Sequence, residues 1–220
     1  MQVLNHPCLV KLHDAFMSAD GRGICLVMSY CESGDLGRAI KGAGAQPFGE
    51  ATVLKWFVQV CMGVQHMHAN QMLHRDLKPC NLFLGEGGLL VRVGDFGLAK
   101  MLTGAHETAT SEVGTPYYTS PEMVLSQPYS FPSDVWSLGV ILYEMLALET
   151  PFRLRAHGDV VALVTEVVSR DAPPLAPQYG AEVKALCAWM LQKSPERRPD
   201  MATVLAMPLM RKHVRTFVKG

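Results

Sequence analysis

The chain has no surplus of either charge, no paired cysteines and no apolar run long enough to cross a membrane. Its 20 lysines and arginines balance 20 aspartates and glutamates, a formal net charge of zero. That balance gives no general pull toward nucleic acid or an anionic bilayer, so neither is expected as a partner. The six cysteines, Cys8, Cys25, Cys31, Cys61, Cys80 and Cys187, are scattered, and none forms a Cys-x-x-Cys pair. This argues against zinc ribbons and thioredoxin-type redox sites. Thiols in a reducing compartment are the expectation. Residues 1–16 contain no apolar signal core; Asn5, His6, Lys11, His13 and Asp14 interrupt them. The longest apolar-rich run, Val135 to Leu148, carries Ser137 and Glu144 and reads as a buried helix, too short for a membrane span. No internal repeat and no low-complexity tail stand out. These absences predict a soluble, intracellular protein, most simply cytoplasmic.

What is present suits a globular fold. The chain has 220 residues, 49% apolar and 18% charged. That length suits one or two domains and buries roughly 70% of the unfolded surface without a disulfide or structural metal. Leu9 to Phe16 and Ile24 to Met28 read as strands around the turn Asp20-Gly21-Arg22-Gly23. Val53, Phe57, Val60, Val64 and Met67 repeat at helical spacing and define one apolar face. Leu82 to Leu84 and Leu89 to Val93 flank Gly85-Glu86-Gly87-Gly88 as a short hairpin. From Pro132 the pattern is mostly helical, and Pro173, Pro174 and Pro177 precede a helix expected over Glu182 to Gln192.

The chemistry is concentrated in His74-Arg75-Asp76-Leu77-Lys78, then Asn81, then Asp95-Phe96-Gly97. Seven specified residues at fixed spacing arise by chance about once in a billion starting points at ~1/20 per residue. Phosphoryl transfer needs a positioned acceptor, a positioned donor and cations against the phosphate charge. Asp76 is suited to accept a hydroxyl proton. Lys78 can neutralise the moving phosphoryl group. Asn81 and Asp95 offer the amide and carboxylate oxygens that a hard cation such as magnesium prefers. His74 is a second base candidate, but beside Asp76 it reads as structural, holding backbone groups under the loop. Farther along, Leu98 to Pro121 holds Thr108, Thr110 and Ser111, then Gly114-Thr115-Pro116-Tyr117-Tyr118, then Ser120-Pro121-Glu122. A phosphate on Thr110 or Ser111 could pair with Arg75, with Lys100 as a further cation, and so order this loop.

Together these motifs resemble a eukaryotic protein serine/threonine kinase, and most closely the NIMA-related (NEK) kinases. Met28-Ser29-Tyr30-Cys31-Glu32-Ser33-Gly34-Asp35-Leu36 resembles their hinge, and Val93-Gly94-Asp95-Phe96-Gly97-Leu98-Ala99-Lys100 their metal loop. Gly114 to Glu122 resembles the end of their activation segment, with Ser-Pro-Glu in place of the usual Ala-Pro-Glu. The resemblance covers about residues 1–205. It implies ATP and Mg2+ as cofactors and a protein substrate with a serine or threonine acceptor. Met28 would be the gatekeeper, the backbone of Ser29 and Cys31 would bind adenine, Phe83 would lie under the ring and Asp35 would reach the ribose. Asp134 would hold the catalytic-loop backbone, and Arg198 would pair with Glu122. Lys78 marks the serine/threonine type, Leu98 is associated with serine, and Cys80 stands where arginine-directed kinases often carry glutamate. An activating kinase or regulatory partner is expected but not identifiable.

The sequence departs from that family in one respect. No Gly-x-Gly-x-x-Gly loop precedes the hinge, and no strand lysine or helix glutamate is present to grip the phosphates. The expected fold is α+β and protein-kinase-like, with a complete, mainly helical C-lobe and a remnant of about two N-lobe strands. The expected division is 1–28 N-lobe remnant, 29–35 hinge, 36–208 C-lobe and 209–220 a short tail. The expected function is an incomplete form of an active protein kinase. The alternatives are a pseudokinase or interaction scaffold, and a small-molecule phosphotransferase.

Overall fold

A computed structural model describes residues 4–95, 117–153 and 160–219. Two small antiparallel sheets and a helical body make up these residues. Strands β1 (Leu12–Met17) and β2 (Ile24–Met28) form a hairpin with Phe16 opposite Cys25 and Met17 opposite Ile24. Its turn closes through the Ser18 amide on the Gly23 carbonyl at 2.8 Å, and Gly21 takes the left-handed conformation that the tight reversal needs. β1 starts later than the apolar pattern suggested. Leu9 and Val10 are buried and run beside the later strand β4 (Leu90–Val93) instead. The Val93 amide donates to the Cys8 carbonyl, and the Val10 amide to the Val93 carbonyl, each at 2.8 Å.

β3 (Leu82–Gly85) pairs with β4 in the register Leu82 to Val93 and Gly85 to Leu90, the hairpin expected from the apolar stretches on either side of the Gly-rich turn. Helix α1 (Leu36–Gly42) begins on an Asp35 cap, whose Oδ1 accepts the Arg38 amide at 2.9 Å. Helix α2 (Glu50–Ala69) buries the expected stripe, Val53, Phe57, Val60, Val64 and Met67, completely. It also holds the β3–β4 hairpin, because the Gln59 side chain accepts the Val91 amide at 2.9 Å and donates to the Leu89 carbonyl at 3.0 Å.

The one-turn helix α3 (Pro121–Val124) leads to α4 (Phe131–Ala147). α4 is buried nearly all round, as a central helix should be. It starts before Val135 because Phe131 and Pro132 fit its first turn, and the Ser130 amide is satisfied by the Ser133 hydroxyl at 3.2 Å. Helices α5 (Val160–Ser169), α6 (Ala181–Met190), α7 (Met201–Ala206) and α8 (Pro208–Lys219) complete the body. α4 and α6 approach so closely at Gly139 that a Cβ there would lie 2.9 Å from the Met190 Cβ. The stretch expected as a short tail is helical. Met210 in α8 is fully buried, and Leu209 and Val214 pack against the same core, at a spacing that gives the helix one apolar side. No helix among the described residues is long and apolar enough to cross a membrane.

Candidate active site

The catalytic segment runs from the end of α2 to the start of β3, and a single carboxylate holds its backbone. Asp134, fully buried near the start of α4, accepts the His74 amide at 3.0 Å and the Arg75 amide at 3.2 Å. The ring of His68, from the last turn of α2, meets the same carboxylate at 2.8 Å, and the Tyr129 hydroxyl donates to it. Burial would raise the Asp134 pKa, but the bonds from His68, Tyr129 and His74 outweigh burial and hold it below the usual carboxylate range. Arg75 is held with a φ of 71°, a left-handed conformation that strains a non-glycine residue. Fixing both amides on Asp134 accounts for its persistence.

His74 is buried and structural, as its position beside Asp76 suggested. Its Nε2 lies 3.0 Å from the Gly94 carbonyl, and its Nδ1 accepts the Asp76 amide at 3.3 Å. That pair of contacts defines the tautomer, with the proton on Nε2. Burial pushes the His74 pKa down, against the opposing pull of Asp134. The ring therefore ties the catalytic loop to the residue before Asp95. Gly94 has its own reason to be glycine: a Cβ there would lie 2.7 Å from the Phe83 ring.

Asp76, Lys78 and Asn81 converge. The Lys78 Nζ stands 2.8 Å from Asp76 Oδ2. Asn81 is buried, and its Nδ2 donates to the Asp76 carbonyl at 2.8 Å and to Asp76 Oδ2 at 3.2 Å. Oδ2 is thus taken twice, while the Asp76 side chain remains 51% exposed. With its nitrogen turned to Asp76, Asn81 has its Oδ1 beside the Cys80 thiol, 3.7 Å away. Burial lowers the Lys78 pKa, but hydrogen bonding to Asp76 reverses this and leaves it raised. The Gly94 amide donates to the Asn81 carbonyl at 2.9 Å, so Asn81 and Asp95 belong to one connected unit.

Asp95 is exposed, has a φ of 54°, and lines a recess of about 830 Å³. Met28, Ser29, Cys31, Asp35 and Phe83 line the same recess. All the residues that sequence reasoning assigned to nucleotide therefore meet in one place. The hinge is stitched to the hairpin beneath it by the Leu84 amide on the Gly34 carbonyl at 2.8 Å and the Ser33 amide on the Leu84 carbonyl at 3.0 Å. An amide oxygen and a carboxylate suit magnesium, which commonly takes one or two protein oxygens and completes its shell with phosphates and water. Thr110, Ser111, Lys100, Phe96, Gly97 and Leu98 lie outside the described residues. Arg75 is exposed and makes no ion pair among the described residues.

Below the site, Arg198 and Glu122 form the expected buried pair, with contacts of 2.8 and 2.7 Å. The Ser133 hydroxyl donates to Glu122 at 2.7 Å, and Arg198 also bonds the carbonyls of Gln192, Pro132 and Lys193. All five guanidinium N–H groups are used. Burial would raise the Glu122 pKa, but Arg198 and Ser133 hold it low. Sequence reasoning missed His68, Tyr129 and the bond from the Tyr118 hydroxyl to Glu144 at 2.7 Å. The only signal for the last was a carboxylate inside an apolar helical run.

The comparisons with known proteins agree with this geometry. Residues 1–210 match the protein kinase domain, and the chain belongs to that family. It is similar to serine/threonine-protein kinases whose names carry Nek. Nek4 of Mus musculus is 37% identical over 99% of the chain and 27% of its own length. Nek11 of Mus musculus is 39% identical over 98% of the chain and 33% of its own length. Nek3 of Mus musculus is 40% identical over 92% of the chain and 38% of its own length. The chain thus spans between 27% and 38% of the length of these relatives.

Proposed function

We propose that the chain carries the phosphotransfer site of a serine/threonine protein kinase, moving the γ-phosphate of ATP to protein hydroxyls. The observation that carries this reading is the convergence of Asp76, Lys78 and Asn81 within 2.8–3.2 Å. Asp76 Oδ1 takes the proton of the acceptor serine or threonine as its oxygen bonds phosphorus and the bond to the leaving ADP oxygen breaks. Lys78 stands against the negative charge of the phosphoryl group. Asn81 Oδ1 and the Asp95 carboxylate would hold magnesium, which when bound draws charge from the phosphate oxygens. Met28, the backbone of Ser29 and Cys31, Phe83 and Asp35 receive the nucleoside. Arg75 waits for a phosphate on Thr110 or Ser111. Residues 1–28 as an N-lobe remnant and 29–35 as the hinge between β2 and α1 suit this reading, and the C-lobe extends through α8 instead of stopping at 208. Six free thiols support an intracellular, cytoplasmic location.

The 220 residues contain no Gly-rich loop and no clamp lysine. On its own the chain is therefore expected to transfer phosphate slowly. The alternative to be tested against it is an inert scaffold. The test is transfer of labelled phosphate from ATP with magnesium to an unstructured serine-rich protein, compared with choline and an aminoglycoside. Transfer to the protein that vanishes in Asp76→Asn supports the proposal. Transfer confined to the small molecules, or transfer that survives Asp76→Asn, refutes it. No transfer at all, with no magnesium-dependent ATP binding, favours the scaffold.

A further inference from the structure

We infer that His6 and His66 form an acid-opened clasp that fixes residues 6–10 against the body and, through Val10, sets one wall of the recess beside the hinge. The effect on ligand rests on reading that recess as a nucleotide site; the clasp itself does not.

His6 stands just before the buried run Cys8, Leu9 and Val10. Its Nδ1 accepts the Cys8 amide at 3.1 Å, so the neutral ring carries its proton on Nε2. The ring also stacks on that of His66, from the last turn of α2, with centroids 4.9 Å apart and planes 23° from parallel. Both contacts need a neutral His6. A proton on Nδ1 turns the acceptor into a donor facing another donor, and it sets a positive ring against His66. No carboxylate pairs with either ring among the described residues, so nothing there offsets the charge. Burial, and then His66, hold the His6 pKa below its ordinary 6.5. The Cys8 thiol, pushed up to about 12 by burial, stays neutral, and the Arg92 guanidinium that acts on it has the same sign as a protonated His6.

The clasped segment is part of the site. The Cys8 carbonyl accepts the Val93 amide, and the Val10 amide donates to the Val93 carbonyl, each at 2.8 Å. Val10 lines the recess together with Met28 and Asp95. A Cβ on Gly94 would lie 2.9 Å from Val10 Cγ2, so the segment also packs on the residue before Asp95. Because the His6 pKa is depressed, the clasp is fully formed above pH 6.5 and opens as pH falls through the lower folded value. Opening removes one wall of the recess.

The test is hydrogen exchange of the 220-residue chain, corrected for intrinsic rates, from about pH 7.5 to about pH 5.5. Protection of the Cys8, Val10 and Val93 amides should fall by about tenfold, the effect of one buried amide losing its acceptor, while α2 stays protected. His6→Asn keeps an oxygen that accepts an amide two residues on but does not titrate, and it should abolish the fall. His66→Phe keeps a ring without the charge and should shrink it. His74 and His213 titrate in all three chains, so the differences belong to the clasp. A fall shared equally by α2, no fall at all, or a fall unchanged in His6→Asn overturns the proposal. A fluorescent ATP analogue with magnesium should lose affinity at low pH more in the unaltered chain than in His6→Asn; equal losses overturn the link to the recess. An analogue that binds at no pH counts against the nucleotide reading, and exchange still decides the clasp.

Discussion

The catalytic loop and the β1–β2 hairpin lie on either side of the hinge, and they are built on opposite principles. The loop is anchored from below by buried groups that leave few polar atoms to chance. One Asp134 carboxylate serves two backbone amides, a histidine and a tyrosine. The hairpin has five residue pairs in register, but most of β1 is exposed, including Phe16 at 51% and Met17 at 57%. A two-stranded sheet with a bare face is marginal in water, and its open edges can pair with other chains. The side of the site that holds Asp76, Lys78 and Asn81 thus rests on buried hydrogen bonds, whereas the recess beside Met28 borrows one wall from a largely exposed element.

The sharpest way to break this contrast is at the chemistry itself. Asp76→Asn should lower phosphate transfer by about 10²–10⁴-fold. Melting temperature should stay unchanged, because the side chain is half exposed. A comparable loss of stability would mean that Asp76 holds the loop instead of acting from it.

Next in size is the base of the loop. Arg198→Ala strips a fully buried carboxylate of its partner and should cost about 3–5 kcal/mol in urea unfolding. A loss below about 1 kcal/mol would show that water or another cation replaces the guanidinium.

Acid should act on the same base. Burial lowers the His74 pKa, so its contribution to stability is present above the unfolded value near 6.5 and is lost as pH falls through the lower folded value. Asp134 and Glu122 are also depressed, net of burial, by their hydrogen bonds. Their contribution is present above about pH 4 and fades below it. Stability measured against pH should therefore fall in two stages, and His74→Asn should shrink the upper one. His6 and His213, also lowered by burial, would leave part of it in place.

The smallest effect belongs to the hairpin. Phe16→Ser with Met17→Ser should change unfolding free energy by no more than about 0.5 kcal/mol per site, the usual range for surface changes. Light scattering at high concentration should drop, because the exposed apolar face is what favours self-association. A large loss of stability would show that the hairpin supports the body after all.

Several parts of this arrangement were legible in the residues themselves. His74 to Asn81 and Asp95 lie close in sequence, so their spacing reports their geometry directly. The stripe on α2 and the β3–β4 hairpin follow from periods that local packing enforces. Other parts were not legible. The Tyr129 hydroxyl and the His68 ring meet Asp134 from two different elements, and no local pattern announces a shared partner. Tyr118 and Glu144 are 26 residues apart. Leu9 and Val10 read as the start of β1, yet pairing with β4 buries them more fully than continuing the hairpin would. The last helix was overlooked because its apolar side is narrow and its basic residues dominate the composition.

From the order of residues alone came the family, the carboxylates and amide of the site, and the absence of a glycine loop and clamp lysine, since each is a matter of residue type at short spacing. Tertiary structure alone decided which oxygen of Asp76 is taken by Lys78 and Asn81, which nitrogen of His74 carries the proton, and that the last helix packs on the core. Those choices depend on partners brought together from distant segments, such as His74 and Asp134, 60 residues apart. In a buried setting a polar atom must find such a partner or forfeit its hydration, and only the folded chain determines which partner is within reach.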